Sequence, residues 1–412
     1  MLETYKFANI SCNEFFESFK LTEREDKLKL SINNFCDNPN AKSAQKVYSE
    51  FLYTYRLRGL EEVIEAMKKF EIASTGIIPK QRDHYIHTVN VFILGLSIFT
   101  FNNKVRENFK ISCNYPDMYP TIEEEFLYRW GMASLFHDVG YPLEIAYKTI
   151  KEFTSMLMSP NLFFDDSDIL KNSEKRFSED IVAVLQFQNL EDVLYINNLN
   201  PLKEFEIEFY KKYPALKNDL PNNVLKAIAK NVSVNIGFAD EQIIHKKVEE
   251  SLTKGLNVGM FDHGIYSSII LLKWLNESFF KANWNPAYYY IPSVDAATAI
   301  FLHNAYKYIF MVPPFNLGPL SIDKHPLAFL LILCDKIQET DRVSYGYVKK
   351  GMEFTSSSIK IDDDQLILSL FIPQSEDKNL ARLTIDDISA SINDSLDINS
   401  AFKIFEIDFK VN

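Results

Sequence analysis

An apolar segment that runs directly into a His-Asp pair constrains the fold of this chain more than any other stretch. The segment 121–138 is mostly apolar after its first turn and ends with His137 and Asp138, and Gly140 and Pro142 follow. Glycine and proline commonly mark the end of a helix. The sequence therefore predicts a helix with an imidazole and a carboxylate at its end. Adjacent nitrogen and oxygen donors suit a divalent metal ion.

Further apolar segments of helical length predict a mainly α-helical protein. In residues 84–100 the apolar side chains of Ile86, Val89 and Ile93 recur with helical spacing. The longest apolar runs are shorter than the roughly 20 residues that cross a bilayer, so we expect buried core helices and no membrane span. The other predicted helices cover residues 142–158, 262–280, 294–310 and 325–342.

Changes in composition predict three domains and one insertion. Residues 1–75 are expected to form an N-terminal helical layer for packing or dimerisation, and residues 76–350 a metal-binding helical domain. Residues 159–255 are richer in Asn, Asp, Lys and Glu and predict a helical insertion or cap. In residues 351–412 the pattern changes to the alternation of strands, which predicts a small ββαβ (α+β) unit.

The charge and composition exclude several functional classes. A net charge of -12 makes nucleic acid an improbable ligand, because duplex phosphates are bound by clustered Lys and Arg. The 12 glycines form no GxGxxG or GxxxxGK phosphate loop. The four cysteines show no CxxC spacing, and the first residues lack the pattern of a signal peptide. We therefore expect a reduced, cytoplasmic protein.

Histidines are few, and most of them lie in the predicted apolar helices or at their ends. Of the seven, His245 and His325 lie in polar or loop sequence and are expected to be surface or capping residues. Asp335 interrupts an apolar helix, where a carboxylate is costly unless it is paired with Lys or Arg or binds a cation. The predicted ligands of one or two divalent ions are therefore His87, His137, Asp138, His263, His303 and Asp335.

The order of these six residues resembles that of the HD-domain superfamily of metal-dependent phosphohydrolases, over roughly residues 80–345. His263 and His303 make the chain similar to the branch with extra histidines and a two-metal centre. Two positions depart from the relatives that hydrolyse cyclic dinucleotides. Tyr141 stands where lysine is usual, and Asn304 follows His303 where a second histidine is usual. These departures argue against a cyclic-dinucleotide substrate.

The resemblance implies an HD-type helical core with two divalent ions, Fe or Mn, with Mg, Co, Ni and Zn as alternatives. It implies hydrolysis of a phosphoester, in a nucleotide or nucleotide-like small molecule, by metal-activated water. Asp138, His84 and Lys336 are the predicted catalytic residues, and Asp262 is expected to orient His263. The predicted contacts to the small anionic substrate are Arg82, Lys336, Arg342 and Tyr141.

Two other functions fit the same residues. A di-iron oxygenase of HD type, acting on a small polyol or phosphonate, would use the same six donors. A non-catalytic module that binds a nucleotide or a partner would not need a complete metal site. The sequence is also compatible with a homo-oligomer.

Overall fold

The computed structural model divides into two compact units. The first unit contains Met1–Phe136 and Tyr306–Asn412, and the second contains His137–Ala305. The predicted domain boundaries at residues 75 and 350 stay predictions. The structure describes residues 2–57, 60–61, 63–65, 84–113, 121–142, 144, 223–237, 240–258, 262–282, 286–338, 356–374 and 377–411.

The described residues are mainly helical, as predicted. The helices are α1 (Leu2–Glu17), α2 (Glu23–Asp37), α3 (Ala41–Thr54), α4 (His84–Phe101), α5 (Asn103–Ser112), α6 (Ile122–Phe136), α7 (Val224–Ile236), α8 (Glu241–Val258), α9 (His263–Ala282), α10 (Pro286–Ala305), α11 (Pro326–Gln338) and α12 (Lys378–Ser395). The strands are β1 (Ser356–Ile361), β2 (Gln365–Ile372) and β3 (Ile404–Val411).

Capping residues define the helices of the N-terminal layer. Thr22 and Glu25 form a reciprocal capping box at the start of α2, and Asn40 and Ser43 form one at the start of α3. Each pair satisfies backbone N–H groups that a helix start leaves without partners. Helices α1 and α3 then pack on α4. Residues 2–57 are therefore mainly helical, and the separate N-terminal layer over residues 1–75 stays a prediction, since residues 66–75 lie outside the described residues.

Helix α4 lies at the centre of the first unit. Helices α1, α3, α5, α6 and α11 all pack against it. Among the described residues, α4 is also the one helix that is long and apolar enough to cross a membrane, but 78% of it is buried inside the protein. Most of this helix is therefore buried against neighbouring helices, as the sequence predicts for a core helix.

The C-terminal part of the first unit is the predicted ββαβ arrangement. Strands β1 and β2 pair in antiparallel fashion, and β3 pairs with β2 in parallel after the crossover through α12. The sheet order is β1-β2-β3. Leu366, Leu368, Leu370 and Ile372 of β2 are buried, so the alternating apolar positions form the inner face of the sheet.

Asn102 links the C-terminal sheet to the helices. Its side chain is fully buried, and its Oδ1 accepts from the backbone N–H of Val105 at 2.9 Å to cap α5. Its Nδ2 lies 3.3 Å from the carbonyl oxygen of Ala401 and 3.4 Å from that of Asp363. One amide therefore holds the start of α5, the β1–β2 turn and the segment before β3.

Replacing Asn102 by alanine should lower the free energy of unfolding by about 2–3 kcal/mol, because the variant loses a helix cap and leaves buried carbonyl groups without a donor. Urea denaturation would measure the change. The matched control is Asn108→Ala in the same helix, whose amide donates to the carbonyl of Lys104 one turn earlier. Equal destabilisation by the two variants would contradict the linking role.

The second unit is built from helices α7 to α10. Asn223 caps α7, and Gly237 ends it in a left-handed conformation with φ 76°. Helix α7 packs on α8, α9 and α10, and α9 packs along α10. The predicted insertion covers residues 159–255. Residues 159–222 of it lie outside the described residues, and its remaining part contains α7 and most of α8. The predicted helix over 142–158 is described only at residues 142 and 144.

Candidate metal centre

Three segments of the second unit carry four of the six predicted donors. Helix α6 ends at Phe136, two residues earlier than predicted, so His137 and Asp138 lie in the turn that follows it. His263 is the first residue of α9, and His303 lies in the last turn of α10. Because α9 packs along α10 in antiparallel sense, the start of one helix lies beside the end of the other.

The donor atoms of Asp138, His263 and His303 lie within 4.8 Å of one another. The Nε2 atoms of the two histidines are 3.3 Å apart, and Nε2 of His263 is 3.6 Å from Oδ1 of Asp138. His137 joins the group, because its Nε2 is 3.5 Å from the same oxygen. Lone pairs at such distances repel one another unless a proton or a cation lies between them. The group could therefore hold a metal ion, and its donors fit a divalent one.

Hydrogen bonds at Nδ1 orient the imidazoles of His263 and His303 so that Nε2 of each ring is left for the donor cluster. Nδ1 of His263 donates to Oε2 of Glu144 at 2.6 Å. Nδ1 of His303 donates to the carbonyl oxygen of Ile300. A histidine that binds a metal usually donates its other ring N–H to a carboxylate or a carbonyl group. Both rings meet this condition and direct Nε2 toward the donor cluster.

The electrostatics of the cluster favour positive charge. Burial by itself would lower the pKa of His263, but the hydrogen bond to Glu144 and the negative charges of Asp138, Glu144 and Asp262 outweigh burial and raise the pKa to about 9. Carboxylates therefore surround an imidazole that lies among other donors. A divalent cation would be stabilised by the same charges.

Two glycines allow the three segments to approach so closely. A Cβ atom at Gly140 would lie 2.6 Å from the carbonyl oxygen of His263, and one at Gly264 would lie 3.0 Å from Cε1 of His303. The backbone N–H of Gly140 also donates to Oγ of Ser267 at 2.8 Å. The turn after Asp138 therefore rests directly on the first turn of α9.

Two hydrogen bonds define the surroundings of Asp262. Its Oδ1 accepts from the backbone N–H of Ile265 at 2.9 Å, so Asp262 caps the start of α9. Its Oδ2 accepts from Nδ2 of Asn304 at 2.9 Å. Glu144 contacts the ring of His263 directly, and the role of Asp262 in orienting that ring stays a prediction. Glu144 was missed, although an acid so close to the His-Asp pair was a signal for it.

The first unit contains the other two predicted ligands, and they contact each other. His87 on α4 places its Nε2 2.9 Å from Oδ1 of Asp335 on α11. The His87 side chain is 2% exposed and that of Asp335 is 20% exposed. A histidine partner therefore accounts for the carboxylate in an apolar helix. The prediction that these two residues share one metal centre with the other four stays a prediction.

The remaining candidates differ in their surroundings. His84 is buried on α4, and its carbonyl oxygen accepts from Oγ1 of Thr88. Lys336 is half-buried in the last turn of α11. The ring of Tyr141 lies 5.6 Å from the ring of His263. Arg82 and Arg342 lie outside the described residues.

His325 and His245, which were not predicted as metal ligands, also contact named groups in the structure. His325 is buried, and its Nδ1 accepts from the backbone N–H of Ala328 at the start of α11. It is therefore a capping residue and not a surface residue. His245 is half-buried on α8, with Nδ1 4.0 Å from Oε2 of Glu249.

The described residues therefore contain a His and Asp group that could hold a metal ion in a mainly helical protein. Comparison of the chain with protein-family models, curated proteins and solved structures gave no match.

Proposed function

We propose that the protein is a metal-dependent phosphohydrolase of the HD-domain type, which cleaves a phosphoester in a nucleotide or nucleotide-like small molecule. The observation that supports this proposal is the convergence of Asp138, His263 and His303, whose donor atoms lie within 4.8 Å of one another. Bound divalent ions, Fe or Mn, would supply an activated water and neutralise the charge of the phosphate.

The residues of the second unit would hold the metal. His263 and His303 would bind through Nε2, because hydrogen bonds occupy the Nδ1 atoms of both rings. The Asp138 side chain is 5% exposed, and a carboxylate so far from water attracts a cation strongly. His137 lies close enough to Asp138 to bind the same ion. His87 and Asp335 are proposed as further ligands from their order in the sequence.

Positive charge near the substrate is needed, because the protein as a whole is acidic, with a net charge of -12. Metal ions would supply most of that charge. We also propose Lys336 as a contact for the substrate phosphate, since it follows Asp335 in the chain. Arg82, Arg342 and Tyr141 are proposed as additional contacts, and His84 as an acid or base.

A substrate panel tests the proposal. The protein, loaded separately with Mn²⁺ and Fe²⁺, should hydrolyse at least one member of a set of nucleotides, cyclic nucleotides and bis(4-nitrophenyl) phosphate. The activity should disappear after treatment with a chelator and in Asp138→Asn. His245→Ala is the control, because His245 lies on α8 beside Glu249 and outside the donor cluster.

Two outcomes would contradict the proposal. Oxygen consumption by the iron-loaded protein with a small polyol or phosphonate, without phosphoester hydrolysis, would assign it to the oxygenases. Nucleotide binding by a metal-free, fully folded protein without turnover would make it a regulatory module.

A further inference from the structure

Glu144 contacts His263 at both its side chain and its backbone. Its Oε2 lies 2.6 Å from Nδ1 of the imidazole and 3.3 Å from the backbone nitrogen. The side chains are mostly buried, with exposures of 13% for Glu144 and 18% for His263. A charge-assisted hydrogen bond in such surroundings is short and strong.

The backbone contact holds the carboxylate in place. His263 is the first residue of α9, a helix of 20 residues, so its N–H group lies at the positive end of the helix dipole. The carboxylate is therefore stabilised by the helix as well as by the ring. Two separate donors on one residue fix its oxygen in front of Nδ1.

The opposite side of the same ring is directed at the donor cluster. Nε2 of His263 lies 3.3 Å from Nε2 of His303 and 3.6 Å from Oδ1 of Asp138. A neutral imidazole carries a single proton, which is bound to either nitrogen. A metal can bind only the nitrogen that lacks it.

We propose that Glu144 is a positioning residue, which keeps the proton of the His263 imidazole on Nδ1 and so leaves Nε2 for the metal. This inference rests on the proposed function, since it concerns the same metal centre. Without the carboxylate, the proton can move to Nε2, and the ring can rotate away from the cluster. Glu144 thus acts on the metal through His263.

Zinc binding and histidine NMR test the proposal. Glu144→Ala should weaken Zn²⁺ binding by about 10- to 100-fold, the usual effect of losing such a partner. In the zinc-loaded protein labelled with ¹⁵N-histidine, the Nδ1–H proton of His263 should resonate far downfield. This signal should move upfield or disappear in Glu144→Ala. Glu144→Gln retains an acceptor oxygen and should restore most of the signal.

A matched control separates this effect from general loss of charge. Glu249→Ala removes a carboxylate that lies 4.0 Å from another histidine, His245, in the same unit. It should change the signals of His245 and leave those of His263 and the zinc affinity as they are. If Glu144→Ala does not fold, Glu144→Gln alone is used for the test. The loss of the negative charge in Glu144→Gln should still weaken zinc binding several-fold.

The outcomes distinguish this proposal from the proposed function. Unchanged zinc affinity and unchanged His263 signals in the Glu144 variants would overturn the role of Glu144 while the metal centre stands. Failure of the wild-type protein to bind Zn²⁺ would overturn both. Loss of zinc affinity in Glu144→Ala, together with the shifted Nδ1–H signal and its recovery in Glu144→Gln, is the expected result.

Discussion

Replacing Asp138 by alanine should abolish tight binding of divalent metal ions. The carboxylate lies among the imidazole donors of the cluster: its Oδ1 lies 3.5 Å from Nε2 of His137 and 3.6 Å from Nε2 of His263. Without it, the described donor cluster contains only imidazole nitrogens, which carry no negative charge to offset that of the cation. We expect His137→Ala to have the same effect, since the two residues occupy one turn.

Elemental analysis of the purified proteins, after dialysis against a weak chelator, would measure this effect. The wild-type protein should retain about two equivalents of iron or manganese if both predicted ions bind, as in the two-metal sites of hydrolases. The Asp138→Ala variant should retain almost none, and His245→Ala should retain as much as the wild type. Full metal content in Asp138→Ala would show that the cluster is not the metal centre.

Replacing Gly95 by alanine should produce a large loss of stability in the first unit. A Cβ atom at this position would lie 2.1 Å from Cζ2 of Trp130. The indole of Trp130 is fully buried, and its Nε1 donates to the carbonyl oxygen of Phe92 at 2.8 Å. The ring therefore cannot move aside without losing this hydrogen bond. We expect a cost of about 3 kcal/mol, at the upper end of the usual range for overpacked cores.

Urea denaturation of matched variants would test this expectation. Gly318→Ala is the control, because no atom lies within 4 Å of a Cβ added there. Trp130→Phe combined with Gly95→Ala should be less destabilised than the sum of the single variants, since the smaller ring leaves room for the methyl group. A Gly95→Ala variant within about 0.5 kcal/mol of the control would contradict the close contact.

Much of the fold could be predicted because its elements have clear periodicity. Helix α4 is apolar over a helical length, and the strands β2 and β3 follow the 2-residue repeat of apolar side chains, which depends on local geometry alone. The donors of the second unit were predicted for a different reason. The chain has only seven histidines, so several of them in or at the ends of apolar helices indicated a shared site.

The contacts around the donors could not be predicted, because they depend on tertiary packing. Glu144 and Asp262 are both acids near a predicted histidine, and the sequence does not show which one faces the ring. His325 lies in polar sequence, but the surrounding elements bury it. Closeness in sequence does not show which acidic side chain contacts a histidine ring, because the direction of each side chain depends on the path of the folded backbone.

The hydrogen bonds of Asn102 have a consequence for synthesis on the ribosome. This residue is synthesised early, yet the carbonyl groups of Asp363 and Ala401 that it contacts are synthesised 261 and 299 residues later. The first unit comprises Met1–Phe136 and Tyr306–Asn412, so the second unit is synthesised between its two parts. The N-terminal helices of the first unit are therefore complete before the residues that they pack against at the C-terminus exist. Domains generally fold as units in the order of their synthesis. Here the segment encoded in the middle of the gene can complete its fold first, and the helices translated before it are the last to gain a finished core.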